Sequence, residues 1–108
     1  QSFGCRAQIS YNPGISYPPG VNSPAEAEIV RQTALGMGQP AAAVDMRGPF
    51  MFSEDFAFMQ EVKPSCYFGI GNGPSRNLHD AGYDFNDDLL PLGARFWCEL
   101  VQRCLPKA

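Results

Sequence analysis

Two short apolar segments, at residues 41–46 and 65–71, alternate with stretches that have the residue spacing of helices. Apolar side chains at successive positions are typical of a strand buried on both faces, and the alternation favours an α/β fold with parallel strands. A parallel sheet of only two strands is not stable by itself. The sequence therefore predicts a piece of a larger α/β domain whose other strands it does not contain.

The N-terminal region combines a third strand pattern with a segment that cannot be regular. Residues 5–11 alternate between apolar and polar side chains, as in a strand with one face in solvent. Residues 12–24 are rich in proline and glycine, which interrupt helices and strands. We interpret this second stretch as a connector or hinge between two parts of the molecule.

The first helix has a start signal and a stop signal. Ser23 and Glu26 have the spacing of a capping box, and Pro24 occupies the first helical position, which suits proline. Apolar residues continue at helical spacing as far as Gly36 and Gly38, which are typical of a helix end. The sequence thus predicts a helix from residue 24 to about residue 36.

Two further helices are predicted. Ser53 is a candidate N-cap, with Glu54 and Asp55 in the first turn, where the helix dipole favours acidic side chains. The last helix runs from about residue 88 to 105 and carries one apolar stripe, which consists of Leu89, Leu92, Phe96, Trp97, Leu100, Val101, Cys104 and Leu105. Because the predicted strands lack neighbours, we expect part of this stripe to be exposed or to pair with another copy of the chain.

Composition excludes some classes of partner. The formal net charge is −3 and the basic residues are scattered, which argues against a partner that is a nucleic acid or an anionic membrane. The N-terminus has no signal-peptide pattern and begins without Met. The four cysteines fit no zinc or redox spacing, so we expect reduced, mostly buried thiols, which suits a cytoplasmic protein.

His79, the only histidine, is the main candidate for a site residue. It follows a predicted strand and a glycine-rich loop and precedes a helix, which places it at the carboxyl edge of a parallel sheet, where ligands bind. An imidazole there can bind a metal, although an ordinary surface histidine fits the same pattern. A catalytic metal needs about three protein ligands, and the chain has no second histidine.

A thiol nucleophile is an alternative use of the same histidine. Cys66 with His79 would form a nucleophile and base pair. Cys66, however, lies in an apolar segment, where a thiol stays protonated and unreactive. The glycines that follow match no phosphate-binding loop.

Five stretches in chain order resemble one family. They are YPPGVNSP, SEDFAFM, CYFGIGNG, LHDAGYDFND and LPLGARFW. Together they resemble the C-terminal part of the metal-dependent amidohydrolases and peptidases of the aminoacylase/carboxypeptidase type. The nearest branch is that of the hippurate hydrolases and the indole-acetyl-amino-acid hydrolases.

The resemblance implies an α/β fold in which the chain is the C-terminal part of a zinc-peptidase-like catalytic domain, with a short remnant of an inserted α+β lid domain. Residues 1–17 would be the end of the lid, or dimerisation, domain, including its last strand. Residues 18–108 would be the C-terminal segment of the catalytic domain.

The resemblance also implies the cofactors and the reaction. His79 matches the family's last metal ligand, while the other ligands and the general base lie upstream in family members. Two divalent ions, zinc or manganese, would activate a water that cleaves the amide of an N-acyl amino acid. The chain alone would be inactive and would hold metal partially or not at all. The alternative is a non-catalytic binding or assembly module that reuses the fold.

Further residues would surround the metal site. The resemblance places Glu54 and Asp55 at its edge, bonded to the metal ligands, and makes three residues of the loop that carries His79 its supports: Tyr83, Asp84 and Asn86. Helix capping would explain Asn86 equally well. Two departures stand out, since Phe52 replaces a common glycine and Asp80 adds a charge beside His79.

Overall fold

A computed structural model describes residues 3–11, 16–44 and 48–105. These residues contain four helices, which we number in chain order: α1 (Pro24–Gly36), α2 (Ala41–Val44), α3 (Phe56–Gln60) and α4 (Leu89–Cys104). The ranges described contain no β-strand, so the α/β class predicted from the sequence is not confirmed. They consist of helices and irregular segments.

Each predicted strand has its own outcome. Residues 41–44 form helix α2, so the strand prediction is wrong there, because three successive alanines favour a helix when no neighbouring strand competes. Residues 45 and 46 lie outside the described residues. Residues 5–11 and 65–71 have no ladder partner among the residues described, and a strand forms only when a second strand satisfies its backbone groups.

Helix α1 begins at Pro24, as predicted, but the predicted capping box is wrong. The Ser23 side chain makes no capping bond to the helix. Its Oγ instead accepts a hydrogen bond from the Ser65 N–H at 3.1 Å, and the Ser23 N–H donates to the Ser65 carbonyl at 3.0 Å. The helix start is therefore tied to a segment about forty residues away rather than capped locally.

Replacing the two glycines at the end of α1 by alanine should change the stability of the chain in opposite directions. Gly36 lies within the helix, and an added Cβ would meet only Arg103 Nη2, at an ordinary 3.5 Å. Gly38 has a φ of +86°, where a Cβ is strained. We expect Gly36→Ala to stabilise the chain by about 0.5–1 kcal/mol and Gly38→Ala to destabilise it by about 1–2 kcal/mol. Urea unfolding midpoints of the two variants check this, and shifts of the same sign would contradict it.

The two later helices match their predictions unequally. Helix α4 spans Leu89–Cys104, which confirms the predicted last helix to within one residue at each end. Helix α3 begins only at Phe56, so Ser53 is not its N-cap. Asp55 occupies that position in a helical conformation without a side-chain capping bond.

The core is small and lies between α1 and α4. Phe96 is buried, and its ring centroid lies 4.9 Å from that of Phe68 and 5.9 Å from that of Trp97. Thr33 on α1 is also buried and donates to the Ile29 carbonyl at 2.8 Å. An aromatic cluster, rather than a sheet, therefore forms the centre of the described structure.

Much apolar surface is exposed, as we expected for a chain whose predicted strands lack neighbours. The accessible surface is 9440 Å², whereas a compact protein of this mass exposes about 5,900 Å². The radius of gyration is 19.1 Å, against about 13 Å for a compact domain of this size. On α4 the exposed fractions of Leu90, Trp97 and Val101 are 60%, 56% and 53%. Trp97 and Val101 of the predicted stripe, and Leu90 beside it, therefore lack cover.

The cysteines correct one expectation. All four thiols are free, but Cys5, Cys98 and Cys104 are exposed and Cys66 is half-buried, so the prediction that most are buried is wrong. The α4 thiols are exposed because that helix has little packed against it. Within the described ranges, no helix is long and apolar enough to cross a bilayer.

Candidate functional site

His79 occupies a strained position in a tight turn. The Asp80 N–H donates to the Asn77 carbonyl at 3.1 Å, which closes a four-residue turn. His79, its third residue, has a φ of +71°, the only positive value at a non-glycine residue in the ranges described. This is the glycine position of a type II turn, and a side chain there costs about 1–2 kcal/mol. The histidine is exposed, so burial of its ring does not offset that cost.

Asp80 also stabilises the turn that follows, at residues 80–83. Its Oδ1 accepts a hydrogen bond from the Gly82 N–H at 2.8 Å and from Arg76 Nη1 at 3.3 Å. The Asp80 carbonyl also accepts from the Tyr83 N–H at 2.9 Å. The charge that Asp80 adds beside His79 is thus paired with Arg76 and serves the fold of the loop.

Asn72 joins the glycine-rich loop to the segment before α4. Its Nδ2 donates to the Asp84 carbonyl at 2.9 Å, and its Oδ1 accepts from the Asn86 N–H at 2.8 Å. Asn86 Oδ1 in turn accepts from the Asp88 N–H at 3.1 Å. Asp84 and Asn86 therefore take part in fixing this segment. Sequence reasoning missed Asn72, although an asparagine among glycines is a signal for such a turn.

The Glu54 and Asp55 side chains make no capping bond to α3, and each lies near a tyrosine. Glu54 Oε2 accepts a hydrogen bond from the Tyr67 hydroxyl at 3.0 Å, and this bond raises the pKa of the Tyr67 phenol above its usual value. A hydrogen bond to Asp55 likewise raises the pKa of Tyr17. A carboxylate acceptor has this effect because it stabilises the protonated phenol. We call these four residues the acid–tyrosine cluster.

Asn22 fixes the backbone of Tyr67. Its Oδ1 accepts from the Tyr67 N–H and its Nδ2 donates to the Tyr67 carbonyl, both at 2.8 Å. Gln60 Nε2, at the end of α3, donates to the same Oδ1 at 2.9 Å. Sequence reasoning missed Asn22 because it lies in the proline- and glycine-rich connector, which has no periodic pattern to mark it.

The predicted site residues fall into two groups. Glu54 and Asp55 belong to the acid–tyrosine cluster, whereas Tyr83, Asp84 and Asn86 lie in the loop that follows His79. In the ranges that the structure describes, no three His, Cys, Asp or Glu side chains come together as a metal site. The described residues alone therefore do not fit a complete metal centre, and His79 can supply one donor.

Cys66 is poorly suited to act as a nucleophile. Burial raises the pKa of its thiol, and the negative charge of Glu26 raises it further. The side chain lines an apolar groove of about 550 Å³ between α1, residues 66–71 and α4, and neither His79 nor the acid–tyrosine cluster lines this groove. A protonated thiol away from the only histidine does not support the thiol alternative.

Comparison with known proteins gives the family of the chain. The sequence profile of Peptidase family M20/M25/M40 matches residues 6–103. The chain belongs to this family, which is generally metal-dependent. The resemblance derived from the five sequence stretches is thereby confirmed.

Two curated relatives define the neighbourhood within the family. An IAA-amino acid hydrolase ILR1-like 5 from Arabidopsis thaliana is 36% identical over 76 aligned positions, which cover 58% of this chain and 18% of the relative. A hippurate hydrolase from Campylobacter jejuni is 39% identical over 57 positions, which cover 53% of this chain and 15% of the relative. The matched part thus spans less than a fifth of either relative. No solved structure gives a significant match.

Proposed function

We propose that the whole protein is a metal-dependent amidohydrolase that cleaves the amide of N-acyl amino acids, releasing a carboxylic acid and an amino acid. The observation that carries the proposal is the family match across residues 6–103. The names of both relatives, hydrolases of an amino-acid conjugate and of hippurate, support a small substrate of this class.

In this proposal the His79 imidazole is one of the ligands of the metal centre. Its support is the positive φ, because strained backbone at a non-glycine residue is retained mainly where a function requires that side chain. The centre would hold two zinc or manganese ions, which acidify a water and polarise the scissile carbonyl. The remaining ligands and the general base would come from parts of the protein outside these residues.

The other predicted residues have supporting roles in the proposal. Glu54 and Asp55 form the edge of the site, and the bond from the Tyr67 hydroxyl limits the rotation of the Glu54 side chain. Tyr83, Asp84 and Asn86 stabilise the loop that carries His79. Residues 1–17 would belong to a lid domain and residues 18–108 to the catalytic domain.

The proposal is tested by assaying the full-length protein on N-benzoyl and indole-acetyl amino acids. We expect hydrolysis that a chelator abolishes and that added zinc or manganese restores. The 108-residue chain by itself should show no turnover and no stoichiometric metal by elemental analysis, because its described residues bring no complete ligand set together. Turnover that survives chelation, or one metal per short chain, would contradict the proposal.

The exposed stripe of α4 favours a second candidate, a binding or assembly module. Leu90, Trp97 and Val101 present an uncovered apolar surface that a second copy of the chain could bury. If the protein is such a module, we expect the full-length protein to self-associate without any hydrolysis. Sedimentation together with the activity assay separates the two candidates.

A further inference from the structure

Tyr67 is restrained by hydrogen bonds at its side-chain hydroxyl and at its backbone. Its hydroxyl donates to Glu54 Oε2 at 3.0 Å, and its ring centroid lies 6.2 Å from that of Phe52 and 5.7 Å from that of Phe56. Its backbone N–H and carbonyl are both bonded to Asn22. A side chain with these restraints has little freedom to move, so it presents its hydroxyl at a defined place.

The Asn22 side chain replaces a neighbouring strand at this point. A residue in an antiparallel ladder exchanges two hydrogen bonds with the residue opposite, one through its N–H and one through its carbonyl. The carboxamide of Asn22 makes the same two bonds with Tyr67, each at 2.8 Å. It therefore fixes the backbone of residue 67 without a sheet.

Asn22 is itself fixed, because it is half-buried and bonded to α3. Gln60 Nε2 donates to its Oδ1 at 2.9 Å. Gln60 also lies close to Gly20, where an added Cβ would lie 3.1 Å from Gln60 Oε1. Ser23, the residue after Asn22, is hydrogen-bonded to Ser65 through both its backbone N–H and its side chain. The connector is thus anchored by hydrogen bonds at residues 22 and 23.

These contacts form a chain from the connector to an acidic side chain of the predicted site edge. We propose that Tyr67 is a positioning residue for the Glu54 carboxylate and that Asn22 sets the position of Tyr67. The role at the site rests on the proposed function, whereas the contacts themselves do not. A displacement of the connector at Asn22 would be transmitted through Tyr67 to Glu54.

The first test measures the contacts without using activity. The full-length protein is labelled with ¹³Cζ-tyrosine, and the phenol signals are titrated with pH, Tyr67 being assigned by loss of its signal in Tyr67→Phe. Glu54→Gln should lower the pKa of Tyr67, because the charged acceptor is lost. Asp55→Asn is the matched control. It should lower the pKa of Tyr17 and leave that of Tyr67 unchanged.

Asn22→Ala then tests the step that is specific to the proposal. It should lower the pKa of Tyr67 in the same direction as Glu54→Gln, although residue 22 does not contact the phenol. Gln60→Ala, which removes only one bond to Asn22, is the milder variant and should give a smaller fall. A Tyr67 pKa that neither variant changes would overturn the role of Asn22, and one that Glu54→Gln leaves unchanged would overturn the Tyr67–Glu54 link.

The second test concerns catalysis. Tyr67→Phe keeps the ring and loses only the hydroxyl, so we expect kcat on an N-acyl amino acid to fall by about 3- to 10-fold with little change in KM, the size of one hydrogen bond. An unchanged kcat would overturn the positioning role. If the wild-type protein hydrolyses no such substrate, the proposed function fails, and the titration alone decides the link between Asn22, Tyr67 and Glu54.

Discussion

Replacement of His79 by alanine should reduce hydrolysis by the full-length protein by more than about 100-fold, which exceeds the usual effect of removing a residue that only supports a metal ligand. The expected cause is loss of one metal donor. Elemental analysis of the purified variant should show less bound metal than the wild type. Full activity with a full metal complement would contradict the assignment of His79 as a ligand.

Replacement of His79 by glycine provides the matched control. Both variants lack the imidazole, but only glycine adopts a φ of +71° without strain. After metal removal, His79→Gly should be more stable than His79→Ala by about 0.5–1 kcal/mol in urea unfolding, because relief of strain exceeds the entropic cost of glycine. Equal loss of activity with His79→Gly as the more stable variant would support a strain that is retained for the side chain, whereas equal stability of the two variants would contradict it.

Replacement of Phe96 by alanine should abolish the cooperative unfolding of the 108-residue chain. Phe96 is the only large apolar side chain that is buried in the part described, and it packs against Phe68 and Trp97. Truncating a buried phenylalanine costs about 3–5 kcal/mol, which is close to the whole stability available to a domain with so small a core. The fluorescence of Trp97 during urea titration reports the transition.

Val101→Ala is the control on the same helix. Val101 lies about one turn beyond Phe96 but is more than half exposed, so its truncation should change the unfolding free energy by no more than about 0.5 kcal/mol. A transition in Phe96→Ala with the wild-type midpoint would show that the core lies elsewhere. A comparable loss in Val101→Ala would mean that the stripe is covered in solution.

Local signals predicted the helices better than the strands. Pro24 and the apolar stripe of α4 identify helices whose hydrogen bonds form within one segment. Strands need partners, and the sequence predicted too few parallel strands for a stable sheet. Without them, the local preference of three alanines produced helix α2 where a strand was expected. The prediction of an N-cap at Ser53 also failed because of contacts distant in sequence. The Glu54 carboxylate accepts a hydrogen bond from Tyr67, and α3 begins only at Phe56.

The candidate site was predictable only in part. A single histidine after a strand-like segment and a glycine-rich loop could be identified from its position, but its positive φ could not, because histidine does not mark a left-handed turn as glycine does. The family resemblance singled out Glu54 and Asp55. Their tyrosine partners lie 13 and 38 residues away in sequence, at separations that no local pattern connects.

The carboxamide of Asn22 also makes this region vulnerable to chemical ageing. Hydrolytic loss of its ammonia would turn the side chain into an aspartate, which keeps the acceptor oxygen but has no N–H for the Tyr67 carbonyl. A carboxylate oxygen would then face the Tyr67 carbonyl oxygen, with two acceptors and no proton where a 2.8 Å bond had been. A molecule that is deamidated at Asn22 would therefore lose the hydrogen bond to the Tyr67 carbonyl while its helices remain intact.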